Sequence, residues 1–335
     1  MTQVTRLLIV GFGEVFHMGA HLLQAAQQLG IDAQLLDARA AYQAPRLLAQ
    51  LNWRTRGHRP TRLDAFSQQL VERCAVFQPQ VVLVTGITPP NAETLAILKA
   101  QGIRCVNYLT DDPWNRQHHA PWFLDALPHY THIFSPRTSN LADLAHAGCT
   151  ASYVPFAYNP ALHFYEAPPP ESAEHYQCDV LFYGGADPDR LPAIEALIDA
   201  GFQVHLYGGY WEHTAKTRSA HRGMADAQTL RWAVASAKIT LCLVRRANRD
   251  GHVMRSFEAP AMGACLLTED TEEHRELFSD TVPYFDSVET LVNQTRWLLN
   301  HSEMRAEYAQ RTMQRIVSSS HTYRDRLHMM LAVTI

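Results

Sequence analysis

The densest grouping of chemically capable side chains is RRANRDGHVMRSFEAPAMGACLLTE, residues 245–269. It follows the apolar run KITLCLV, brings Arg245, Arg246 and Arg249 to a strand end, turns at Asp250-Gly251 and enters a helix carrying Arg255 and Glu258. Glycine at 251 lets the backbone approach a ligand closely, and amides near Gly251 and His252, at the start of the next helix, can point at phosphate oxygens. Arg255 adds a fixed cation. Glu258, one turn further in beside apolar neighbours, suits bidentate bonding to vicinal hydroxyls such as those of ribose. Spacing alone equally fits an acid capping a surface loop, with Glu258 in a helix salt bridge.

A second set lies in the first half of the chain. Gly11-Phe12-Gly13 follows the opening strand, but a dinucleotide fingerprint needs a third glycine where this chain has Phe16. His17 follows at the start of a helix as a candidate catalytic residue, with an ordinary first-turn residue as the structural alternative. Asp111 and Asp112, in YLTDDPW, end the strand IRCVNYL. A carboxylate there can bind an acceptor hydroxyl or act as a base; turn formation before Pro113 is the structural alternative.

Strand-length apolar runs alternate with helical periods, the pattern of a parallel sheet covered by helices. RLLIVGF, QVVLVTG, IRCVNYL, THIFS and ASYVP read as strands of the first half, with a helix over about 17–29. Residues 166–177, EAPPPESAEHYQ, cannot continue a helix or a central strand and read as a linker. Beyond it CDVLFYGG, QVHLYGG, KITLCLV, CLLTE and VPYF resume the alternation, and helical stretches close the chain. The expected fold is α/β, with two Rossmann-like domains facing a cleft at their strand ends. Residues 1–165 form the first domain and 178–320 the second, and the final helix, 321–335, is expected to pack back on the first.

The 335 residues carry 29 Lys and Arg against 33 Asp and Glu, a formal charge of -4, without the basic excess that drives bulk nucleic-acid binding. Six singly scattered cysteines read as buried free thiols. With no signal-peptide core and no window of membrane-spanning length, a cytoplasmic location is expected. The 18 histidines share no metal-site signature, so no metal is expected.

RSFEAPAMGACLLTEDTEEHRELF, VPYFDSVETLVNQTRWLLN and HTYRDRLHMML, together with CDVLFYGGADPDR, VHLYGGYW and YLTDDPW, occur here in one order. In that order they resemble the spore-maturation-type (CgeB-like) glycosyltransferases of the GT-B fold, with their C-terminal glycosyl transferases group 1 domain. The similarity covers most of residues 105–330. Asp250 and Glu258 match the E-x7-E spacing of related retaining transferases, with Asp in the first place. The resemblance implies that Asp250 touches the donor sugar and Glu258 the nucleotide ribose. It also implies that Gly184 and Gly185 form a turn before Arg190, which neutralises the donor diphosphate. Gly11, Gly13 and His17 would border the acceptor side. Asp187-Pro188-Asp189 is a literal D-x-D, but Pro188 reads better as the first residue of a helix capped by Asp187.

The implied activity is metal-independent, hexosyltransferase-type transfer from a nucleoside-diphosphate sugar, the co-substrate, to a glycan, protein, nucleobase or small metabolite. No cofactor is expected. The alternatives are a nucleotide-sugar epimerase on the same fold and a noncatalytic nucleotide- or glycan-binding protein.

Overall fold

The computed structural model describes residues 4–334. The chain divides into two compact units, Met1–Pro155 with Tyr323–Ile335, and Phe156–Thr322. The first is built on β1 (Arg6–Gly11), β2 (Asp32–Asp37), β3 (Val81–Thr85), β4 (Arg104–Tyr108), β5 (His132–Ser135) and β6 (Ala151–Tyr153), ordered β2-β1-β3-β4-β5-β6. Every neighbouring pair is parallel, so each connection must cross over and helices cover the faces. All five residues of β3, VVLVT, are buried, which is why it reads as an unbroken apolar run. DAQLLD, now β2, has no such run: it pairs on one side only and buries just Leu36. It is absent from the strands read in the sequence for that reason.

In the second unit β7 (Cys178–Tyr183), β8 (Val204–Tyr207), β9 (Ala237–Cys242), β10 (Leu266–Glu269) and β11 (Tyr284–Phe285) stand in the order β11-β10-β9-β7-β8. These pairs too are parallel. Side-chain caps set the helix starts: Asp226 accepts from Thr229 N at 2.7 Å, and Ser287 forms a capping box with Thr290. Val180, Phe182, Leu206, Leu241 and Leu267 build the core from the strands, and Ile194, Leu197 and Leu291 from the helices.

The chain passes from one unit to the other after Pro155 and again after Thr322. The segment 166–177 lies inside the second unit, where it forms the turn Pro170–Ser172 and the helix Ala173–Tyr176. Glu166 ties it down by accepting from Arg231 Nε at 2.6 Å. The prolines end regular structure there without parting the units. The closing helix, Tyr323–Thr334, belongs to the first unit, where Tyr323 stacks on His21 of the helix Met18–Gln28 with ring centroids 4.6 Å apart.

Candidate active site

In the second sheet the strand order reverses between β7 and β9, the place where open parallel sheets bind ligands beyond their C-terminal strand ends. β7 ends at Tyr183, and the chain turns through Gly184 at φ +139. Gly184 is pinned from the far side: its N–H donates to Tyr207 O at 2.8 Å, and its own carbonyl accepts from Trp211 Nε1 at 2.8 Å. Trp211 is fully buried, so this turn is rigid.

Arg255 opens the helix Arg255–Ala261 and reaches across to this turn. Its guanidinium lies 4.3 Å above the Phe182 ring centroid, and Nη2 donates to Tyr183 O. Nε and Nη1 are buried and have no hydrogen-bond partner. Arg190 stands beside it, with Nη1 donating to Gly185 O at 2.9 Å and pairing with Asp187 at 2.9 Å. Its Nε too is buried and unpartnered. Burial, with Arg255 repelling it, pulls the Arg190 guanidinium down to about 10. Two buried guanidiniums with unpartnered N–H groups at a strand-end switch point are chemically suited to an anion.

The D-x-D string is otherwise engaged. Asp187 joins Arg190 to Arg245, whose Nε donates to it at 2.9 Å, and Asp189 accepts from Arg246 N at 3.0 Å. Asp187 caps no helix, contrary to the expectation from Pro188: the helix Leu191–Asp199 begins later, with Arg190 at its N-cap. Two guanidiniums claim the carboxylate that would have capped.

Asp250 is buried and donates its own N–H to Arg245 O at 3.2 Å. A β-carbon on Gly251 would collide with the Glu273 side chain, so any larger residue there must displace that carboxylate. That carboxylate holds His252 Nδ1 at 2.5 Å, while His252 Nε2 accepts from Phe156 N at 3.1 Å. Both ring nitrogens are thus engaged within the protein, and the ring fixes the loop.

Glu258 is buried in the helix Arg255–Ala261, and burial, offset in part by Arg255, pushes its carboxyl up to about 7. His163, which the sequence reading missed, faces it with Nε2 at 3.8 Å from Oε1. His163 Nδ1 accepts from Asn159 N at 3.0 Å, so the neutral ring carries its proton on the nitrogen turned toward Glu258. Phe182 and Trp211 were missed as well, since an aromatic in or near a strand reads as ordinary core and gave no signal of its own.

A cavity of about 380 Å³ opens past the ends of β9, β10 and β11, with Asp250, Arg249, Arg246 and Glu269 in its wall. Among the described residues no group of three or more His, Cys, Asp or Glu is arranged for a metal ion.

In the first unit the strand order reverses between β1 and β3. Gly11 ends β1 where β3 approaches so closely that a β-carbon would strike Thr85 Oγ1. Gly13 faces Asp37, which accepts from Arg39 Nε at 2.9 Å. Half-exposed His17 is the N-cap residue of Met18–Gln28 and pairs with Glu14 at 2.9 Å. Asp112 is buried, its Oδ1 accepting from Trp114 N at 3.0 Å and Asn140 Nδ2 at 3.1 Å, so this carboxylate builds the turn. Asp111 stays partly exposed, 3.7 Å from His118 Nδ1.

Residues 190–332 match the model of a family described as glycosyl transferase-like. Across the whole chain the fold is shared with sucrose-phosphate synthase from Thermosynechococcus elongatus, at TM-score 0.71 and 12% identity over 98% of both chains. An E. coli trehalose-6-phosphate structure bound with UDP-2-fluoro glucose follows, at TM-score 0.64 and 10% identity over 98% of both chains. The fold is GT-B. Another GT-B-like match is UDP-GlcNAc 2-epimerase from Neisseria meningitidis bound to UDP-GlcNAc, at TM-score 0.56 and 13% identity, covering 98% of this chain and 100% of that one. No curated protein sequence matches the chain. The matched family domain begins at Arg190 and takes in Asp250, Arg255 and Glu258, so the buried cations of this GT-B chain lie within it. Among the described residues no helix is long and apolar enough to cross a membrane.

Proposed function

We propose that this chain is a hexosyltransferase of the spore-maturation type that moves a sugar from a nucleoside-diphosphate sugar to an acceptor hydroxyl. The observation that carries the reading is the pair Arg190 and Arg255, two buried guanidiniums with unpartnered N–H groups at the β7–β9 switch point. During transfer the bond between the anomeric carbon and the diphosphate oxygen breaks, and charge develops on the leaving diphosphate. Fixed cations placed where charge appears stabilise that state. With two guanidiniums in this role, the reaction needs no divalent ion.

Glu258 takes the ribose hydroxyls, and Asp250 the transferred sugar. The Asp250–Glu258 spacing supports retention of anomeric configuration. On the first unit, Asp111 and the Gly11–Gly13 turn serve the acceptor. His17 stands at the same strand end.

Thermal denaturation with UDP, GDP or dTDP in the presence of EDTA tests the reading. One of them raises Tm, because a ligand bound only by the native state adds RT ln(1 + [L]/Kd). Stabilisation by a nucleotide only with added Mg or Mn would overturn the metal-free assignment. Incubation with the cognate nucleotide sugar alone separates transfer from epimerisation: a transferase gives slow hydrolysis, an epimerase full conversion of the donor.

A further inference from the structure

The helix Arg46–Thr55 of the first unit is built the wrong way round for a helix that merely covers a sheet. Its one buried residue is polar Asn52, whose Nδ2 donates to Arg59 O at 2.6 Å. Its leucines face outward: Leu47 is 82% exposed, Leu51 60% and Leu48 51%. At spacings of one, three and four residues these three share one outer arc of the helix. Trp53, 43% exposed and further along the helix, is stacked on His58.

The surroundings are basic. Residues 38–63 contain no Asp or Glu, in a chain whose formal charge is -4. Arg46, Arg54, Arg56 and Arg62 are exposed and form no ion pair or side-chain hydrogen bond among the described residues. The helix is also held in place: Trp122 Nε1 donates to His58 O at 3.3 Å, and Gly57 turns at φ +57 against Pro121. Tyr42 links Trp53, with ring centroids 6.3 Å apart, to Phe12, 6.0 Å away in the turn after β1.

We infer that Leu47, Leu48 and Leu51, in the same basic segment as these four arginines, form a docking face for an anionic lipid surface. Exposed leucines on a fixed helix enter the headgroup boundary, while unpaired arginines of the same segment meet lipid phosphates. The partner's charge is what selects it: four uncompensated cations oppose a neutral or basic partner and favour a surface dense in negative charge. The aromatic contacts from Trp53 through Tyr42 to Phe12 tie this helix to the turn after β1. The inference itself stands on the helix alone and does not depend on the acceptor assignment.

Sedimentation of the full chain with vesicles tests it. The chain co-sediments with vesicles containing phosphatidylglycerol, not with phosphatidylcholine alone, and binding weakens as salt rises. Each arginine changed to Gln lowers vesicle affinity by about fivefold. Joint change of Leu47, Leu48 and Leu51 to Gln abolishes binding while circular dichroism and Tm stay at parental values, since these side chains support no core. Failure to bind either vesicle, or equal binding to both, overturns the inference. So does a parent that sediments as a dimer in free solution and a leucine variant that sediments as a monomer, because the face would then join two copies of the chain.

Discussion

Gly184 and Arg255 approach so closely that a β-carbon on the glycine would lie 2.7 Å from Nη2 of the arginine. The glycine is needed twice over, for its φ of +139 and for the room it leaves the guanidinium. Gly184→Ala therefore strains the turn and pushes Arg255 off the Phe182 ring. The expected cost is about 1–3 kcal/mol in denaturant unfolding. Nucleoside diphosphate affinity should fall together with it in calorimetric titration.

Arg255→Ala and Arg190→Ala each weaken a nucleoside diphosphate more than the matching nucleoside. Loss of one charge-assisted bond corresponds to about 1.5–3 kcal/mol. Titration of UDP against uridine, or of the cognate pair, reads the difference. Equal loss for both ligands would assign these arginines to the fold alone.

Glu258 sets a pH dependence whose sign follows from burial. Its folded value, about 7, lies above the ordinary 4.5, so the folded state holds a proton that the unfolded chain releases earlier. Stability from this group is fully present below pH 4.5 and is lost as pH rises through about 7. Glu258→Gln removes that slope and raises ligand-free stability at the alkaline end, by at most on the order of 3 kcal/mol. Urea unfolding across the window measures it. An unchanged slope in the variant would place the titration elsewhere.

The two acids should fail differently as catalysts. Glu258→Gln weakens every nucleotide ligand, sugar-bearing or not, because the ribose contact is common to all. Asp250→Asn leaves free diphosphate affinity near the parental value and lowers turnover. Calorimetry paired with product assays separates them; if both variants bind and turn over normally, Asp250 and Glu258 are supports for the loop and helix.

By itself the sequence determined the alternation of strands and helices and most of the strand positions, because strands buried on both faces of a parallel sheet are unbroken apolar runs. It also placed Gly184, Arg190, Asp250, Gly251, Arg255 and Glu258 just beyond such runs, where strand ends meet solvent. Edge strand β2 escaped, since a half-covered strand need not be continuously apolar. What only the tertiary structure decided was adjacency. β8 follows β7 in the chain, yet β9 pairs with β7 on the other side, and this crossover brings Arg255 over Phe182. Strand order is set by how the crossovers and helices pack, which leaves no trace in local hydropathy. The same holds for Asp187, taken by two arginines in place of a helix cap, and for Asp112, drawn into its turn by Asn140. Arg245 lies 58 residues from Asp187 and Asn140 28 from Asp112, beyond the reach of any spacing rule.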